Sequence, residues 1–152
     1  MESIKKIVVA SDHRGFELKE YLIHRDPPLQ TIKERIVWLD VGAFTNERSD
    51  YPHFAHQAIK KLTQDSLDRA ILFCGSGNGM AITANRFKGI FACVAWNPVT
   101  ACQAQEDDNC NVLVIPADYV SQAEMLDIVS AWLNASFKGG RYAERLALID
   151  SY

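Results

Sequence analysis

Five short apolar runs mark out the chain, at residues 5–11, 36–41, 70–74, 90–96 and 112–115. Each is too short for a helix, is bounded by polar residues or glycine and is rich in strand-forming side chains, so each predicts a β-strand. The stretches between them carry helical spacing instead. The clearest covers residues 51–62, where Phe54, Ala55, Ala58, Ile59 and Leu62 share one face behind Pro52 in the first turn. Another opens at Ser121 and Glu124, a capping box in which hydroxyl and carboxylate each satisfy a free backbone N–H. Leu126, Val129 and Leu133 then stripe that helix. Gly139 and Gly140 end or break it, and Asp26, Pro27 and Pro28 suggest a looser surface loop. Strands buried on both faces and joined by helices imply an α/β domain. The expected architecture is a three-layer α/β/α sandwich around a mostly parallel five-stranded sheet, with right-handed crossovers and a C-terminal helical tail.

Bulk properties narrow the picture. With 152 residues, 48% of them hydrophobic, the chain suits one domain, residues 1–152, with a single well-filled core. A net charge of −3 with no Lys/Arg block lacks the basic excess that nucleic acid requires. The run at residues 7–10 lacks the length and cleavage site of a signal peptide, and no stretch approaches the ~18 apolar residues of a membrane span. Cys74, Cys93, Cys102 and Cys110 form no close pair of the kind zinc sites use. They read as reduced thiols in a cytoplasm.

In parallel sheets ligands bind outside the carboxyl ends of the strands, which nominates Asp12 and His13 after the first run and Cys74 onward after the third. The segment Cys74, Gly75, Ser76, Gly77, Asn78, Gly79, Met80 is a glycine-rich turn leading into a helix expected to end near Asn85. Alternating glycines let successive backbone N–H groups converge on an anion. Met80 occupies the place of a third dinucleotide-fingerprint glycine, no Walker lysine follows, and the first arginine, Arg86, is too distant for a cysteine-phosphatase loop. Cys74 is either a buried structural thiol or a reactive one. Glycines and a helix start directly behind it favour the reactive reading, because that setting can lower a thiol pKa. Asp12 could bind a sugar hydroxyl or simply cap the next helix. Tyr51, beside Asp50 and Pro52, could offer its hydroxyl to a ligand while opening a helix. His53 and His56 read as surface positions. Arg141 and Arg145, four apart, share a helix face that could clamp a phosphate or be a solvated face paired with Glu144.

Together these segments resemble the type B family of ribose-5-phosphate isomerases, a group that includes galactose- and allose-6-phosphate isomerases. The resemblance runs through residues 11–15, Asp50 to Pro52, residues 74–79 with Ala84 and Asn85, residues 109–113, and Gly139 to Arg145. It implies a Rossmann-like sandwich, a homodimer or dimer of dimers, and no metal or organic cofactor. Cys74 would shuttle a proton between C1 and C2 of a sugar phosphate through an enediolate. Ser76, Asn78 and the backbone of Gly75, Gly77 and Gly79 would hold the oxyanion. Asp12, Tyr51 and Asn111 would bind the sugar, and His13, Arg141 and Arg145 the phosphate, with the two arginines arriving from a partner subunit. Two positions depart from the family pattern. Asp107 stands where a ring-opening His is common, leaving Asp107, crowded by Glu106 and Asp108, or His13, or spontaneous opening to do that step. Asp118 stands where a phosphate-binding Arg is usual, and Arg14 is the nearest substitute for its charge. A six-carbon substrate, or a binding protein without catalysis, would fit the same scaffold.

Overall fold

The computed structural model describes residues 3–25, 27–29, 31 and 34–152. Five strands, β1 (Ser3–Ser11), β2 (Glu34–Asp40), β3 (Arg69–Cys74), β4 (Ala92–Val94) and β5 (Val112–Pro116), alternate with α1 (Phe16–His24), α2 (Tyr51–Gln64), α3 (Asn78–Ala84), α4 (Pro98–Asp108) and α5 (Gln122–Asn134). A last helix, α6 (Arg141–Ile149), closes the chain. All strand pairs are parallel, in the order β2-β1-β3-β5-β4. This is the three-layer α/β sandwich the apolar pattern predicts. Of the loop expected at residues 26–28, Asp26 lies outside the described residues, while Pro27 and Pro28 are exposed and outside any regular element.

Strand alternation divides the core in two. Ile7, Val9, Ile71, Phe73, Leu113 and Ile115 face α1 and α5, whereas Val8, Ala10, Leu72, Cys74 and Val114 face α2 and α3. Burying each such side chain contributes roughly 1.5–3 kcal/mol. The predicted capping box at Ser121 and Glu124 is present, but the buried stripe it introduces is Met125, Ile128, Val129, Trp132 and Leu133. Leu126 sits at the stripe's margin, half-buried against the same core. The fourth strand is shorter than its apolar run. Ile90 is taken into the turn after α3 by a bond from its N–H to the Phe87 carbonyl (3.2 Å), and Asn97 caps α4 in a capping box with Thr100.

Topology fixes where a ligand can sit. From β1 the sheet grows one way to β2 and the other way to β3, so the switch point falls between the carboxyl ends of β1 and β3. Ser11 and Phe73 are paired across that boundary. The next residues along, Asp12 and Cys74, therefore emerge side by side.

Candidate active site

Cys74 ends β3 with its side chain 6% exposed, and its Sγ lies 3.6 Å from Asp12 Oδ2, toward which the thiol donates. Asp12, 3% exposed, accepts through its other oxygen from the backbone N–H groups of Arg14 and Gly15, both at 3.0 Å. The two readings of Asp12 are thus combined: one oxygen fixes the turn into α1 and the other faces the thiol.

Opposing influences act on the sulfur. Backbone N–H groups of Gly77 and Gly75 point at it and favour the thiolate, as a glycine cradle should. Burial and the Asp12 carboxylate outweigh them, so the Cys74 pKa is raised above the ordinary thiol value. The sequence-based expectation of a lowered pKa is corrected on this point: the glycines act in the expected direction, but desolvation and a neighbouring anion are stronger.

Each cradle glycine has its own reason. Gly77 adopts φ +84°, open to glycine without strain, and caps α3. Gly75 and Gly79 instead leave space. A Cβ at Gly79 would fall 2.4 Å from the Tyr51 ring, and one at Gly75 would fall 2.6 Å from the Arg14 guanidinium. Tyr51 and Arg14 therefore lie directly on the cradle. Ser76 and Asn78 are exposed at its rim, where the Ser76 hydroxyl accepts from the Asn78 N–H at 3.2 Å. With Val94, Trp96, Pro116 and Tyr119 they line an open cleft of about 450 Å³.

His13 is held at the same end. Its backbone N–H donates to the Ser49 hydroxyl (3.1 Å), and its Nδ1 lies 3.2 Å from both the N–H and the carbonyl of Ser49. When Nδ1 accepts from Ser49, the remaining proton is on Nε2, which makes that nitrogen a donor.

Other sequence-nominated residues lie elsewhere. Helix α4 starts beyond the carboxyl end of β4, so Asp107, near its C-terminus, sits toward the amino end of the sheet. There it accepts from Lys138 Nζ at 2.9 Å, so its immediate partner is a cation, not its neighbours Glu106 and Asp108. Arg141 and Arg145 are at that end too. Their guanidinium groups lie 5.2 and 5.6 Å from the Tyr142 ring centre, and Lys138 Nζ lies 5.3 Å from it. Both arginines are exposed. Asn111 is built into the backbone. Its side chain accepts from Phe91 N–H (2.8 Å) and donates to the Gly89 carbonyl (2.9 Å), which positions the approach to β4 and takes up its amide within its own chain. Asp118 pairs with Arg14.

Sequence reasoning missed Ser49, Trp96 and Tyr119. Trp96 follows β4 and so falls under the strand-end rule that found Asp12. Ser49 is 36 residues from the His13 it clamps, and no local pattern reveals that contact. Among the described residues no three His, Cys, Asp or Glu side chains gather as a metal-ligand set, and no helix is long and apolar enough to cross a membrane.

A thiol and a carboxylate meeting at the switch point of a parallel sheet, beside a glycine cradle, form an acid–base site of the sugar-isomerase class. The chain belongs to the ribose/galactose isomerase family, whose model matches residues 7–149. It is 35% identical over 148 residues to ribose-5-phosphate isomerase B of Escherichia coli, covering 97% of this chain and 96% of that one. A ribose 5-phosphate isomerase structure from Thermotoga maritima superimposes with a TM-score of 0.86 at 35% identity, covering 97% of this chain and 99% of the other. Ribose-5-phosphate isomerase B from Mycoplasma genitalium, solved with bound ribulose-5-phosphate, gives 0.85 at 35% identity over 100% and 97% of the two chains.

Proposed function

We propose that this chain interconverts ribose 5-phosphate and ribulose 5-phosphate, with Cys74 as the base. The observation that carries the reading is the Cys74 sulfur set between two backbone N–H groups and the Asp12 carboxylate at the switch point of the sheet. The relatives named above act on, or hold, that sugar pair.

The thiol rests protonated, because its pKa is raised. Passing its proton to Asp12 leaves a thiolate facing the N–H groups of Gly75 and Gly77. The thiolate removes the hydrogen of C2 as a proton, and the electron pair moves through C1 onto the carbonyl oxygen. Ser76, Asn78 and the cradle N–H groups, Gly79 among them, stabilise that oxyanion. The C2 hydroxyl proton passes to the C1 oxygen, and Cys74 returns its proton to C1, which completes the ketose. Asp12 and Tyr51 orient the sugar hydroxyls. Nothing in this cycle requires a metal or an organic cofactor.

His13 binds the phosphate through its Nε2–H, and Asp107, tied to Lys138 at the end of the molecule that also bears Arg141 and Arg145, would reach the sugar ring only from a second copy. Arg141 and Arg145 complete the anion site from a second copy, in a homodimer or a dimer of dimers. Helix α6 buries none of its residues although Leu148 and Ile149 are more than half exposed, as expected of a tail that docks on a partner. Asn111 acts there only through the backbone it holds. The four free thiols fit a reducing cytoplasm.

Solvent deuterium exchange tests the proposal. An isomerase incorporates label at C2 of ribose 5-phosphate, and Cys74→Ala loses incorporation while still binding the sugar. Saturable binding by the native chain without exchange would make it a binding protein, and faster exchange with allose or galactose 6-phosphate would reassign the substrate.

A further inference from the structure

At the carboxyl end of the sheet, an ion pair beside the cradle goes unused by the proton-transfer chemistry. Arg14, in the turn after β1, reaches across the cradle and donates from one terminal nitrogen to Asp118, which follows β5. Among the described residues that nitrogen alone has a polar partner. The other donor nitrogens of the guanidinium lie over Gly75, close enough that a Cβ there would meet Nε at 2.6 Å and the second terminal nitrogen at 2.9 Å. Gly75 has no left-handed backbone, so room for this guanidinium, not torsional freedom, is what demands a glycine. The anchor is equally fixed: Asp118 N–H donates to the Gly75 carbonyl at 3.0 Å, and Ala117 N–H to the Cys74 carbonyl at 2.8 Å.

We infer that Arg14 joins His13 as an own-chain ligand of the substrate's phosphate, held over the cradle by Asp118, and that Asp118 sets how tightly the anion binds. The inference rests on the proposed isomerase function and extends it. A guanidinium presents several donors in one plane and suits phosphate oxygens. With one of these nitrogens engaged, the rest stand over the cradle. The pair is weak enough to yield, since the Arg14 side chain is 56% exposed and that of Asp118 32%, and exposed pairs are poorly held in water. Charge accounts for the tuning. Asp118 sets a carboxylate directly on the Arg14 guanidinium, with the Asp12 carboxylate nearby on the Arg14 backbone N–H, so a dianion entering here meets little net attraction until Asp118 is neutralised or turned aside. Arg14 is thus a binding residue, and Asp118 a positioning residue that also weakens the anion's hold.

The test uses the full-length native protein with ribose 5-phosphate as substrate and inorganic phosphate as competitive inhibitor. Arg14→Gln is expected to raise KM and the phosphate inhibition constant together, by about tenfold, with kcat within about twofold, since uniform binding is what is lost. Asp118→Asn keeps an acceptor for Arg14 but removes the charge, and is expected to lower both constants several-fold, by roughly three or more. Gly75→Ala leaves Arg14 in the chain but displaces its guanidinium, and should reproduce the KM rise of Arg14→Gln. If Arg14→Gln leaves both constants within about twofold of the native values, Arg14 is no phosphate ligand; if Asp118→Asn raises them, its tuning role is overturned. Should the native protein fail to isomerise ribose 5-phosphate, the proposed function falls separately. Calorimetric titration of native protein and Arg14→Gln with inorganic phosphate then decides the Arg14 assignment alone, equal affinities refuting it.

Discussion

The two ends of the sheet are built by different rules. At the carboxyl end, several polar residues have a close partner: Asp12 two N–H groups, His13 the Ser49 backbone and hydroxyl, Arg14 the Asp118 carboxylate, and Tyr51 its seat on Gly79. Around the amino end, Lys138, Arg141 and Arg145 gather loosely about Tyr142 on a helix with no buried residue. The contrast teaches that a single copy holds the thiol, the carboxylate and the cradle in a preorganised state, while the guanidinium groups of Arg141 and Arg145 stand exposed on the tail. An exposed cationic cluster on an amphipathic tail makes physical sense when it completes another copy's site.

The sharpest way to separate the two ends is to remove the base. Cys74→Ala leaves the cleft and its anion contacts intact, so kcat should fall by about 10³-fold or more while phosphate binding persists, read by deuterium exchange and by calorimetry. Parallel loss of binding would mean that the sulfur is structural.

Next in size is the double variant Arg141→Ala, Arg145→Ala, expected to raise KM by about 10²-fold. The comparison itself is tested by mixing this variant with Cys74→Ala under conditions that exchange subunits. If the ends work in trans, each mixed dimer regains one intact site, and about a quarter of native activity returns. If both ends serve the same copy, no activity returns.

Much of this was legible in the sequence for a physical reason: strand-end chemistry is local. Alternation and apolar run length located all five strands, and the strand-end rule then led to Asp12 and Cys74, which the parallel topology sets side by side. Gly75 and Gly79 were recognisable as a cradle, but not the Arg14 and Tyr51 side chains that require them, since those contacts span 61 and 28 positions by the residue numbers. The balance on the thiol was hidden for the same reason. Composition shows glycines beside Cys74, whereas burial and the approach of Asp12 exist only after folding. Asn111 shows the converse: its motif position was legible, but not the bonds its amide makes to the backbone near β4.

That balance gives a pH prediction. In the proposed mechanism the thiolate is the active form, and burial with Asp12 raises the thiol pKa, so kcat/KM should climb with pH and level off only above the ordinary thiol range. Asp12→Asn retains the acceptor that holds Arg14 and Gly15 but removes the charge and its pull on the thiol proton. The rise should then move to lower pH, with a plateau reduced by about 10-fold or more because the proton acceptor is gone. A profile that stays in place would remove Asp12 from the thiol's titration, and one that moves upward would reverse the sign argued here.

The smallest expected effect concerns Tyr51, and it tests whether the carboxyl end is as rigid as its contacts imply. Tyr51→Phe keeps the ring that rests on Gly79 and deletes only the hydroxyl, so one hydrogen bond to the sugar, about 1 kcal/mol net, should be lost and KM should rise about fivefold. Gly79→Ala does the reverse. It keeps the hydroxyl but drives the ring off its seat, because a Cβ would come within 2.4 Å of it. Were the site soft, the displaced tyrosine would find the sugar again and Gly79→Ala would be the milder change. A preorganised wall predicts that Gly79→Ala raises KM at least as much as Tyr51→Phe, and that combining the two adds little, since both remove the same contact.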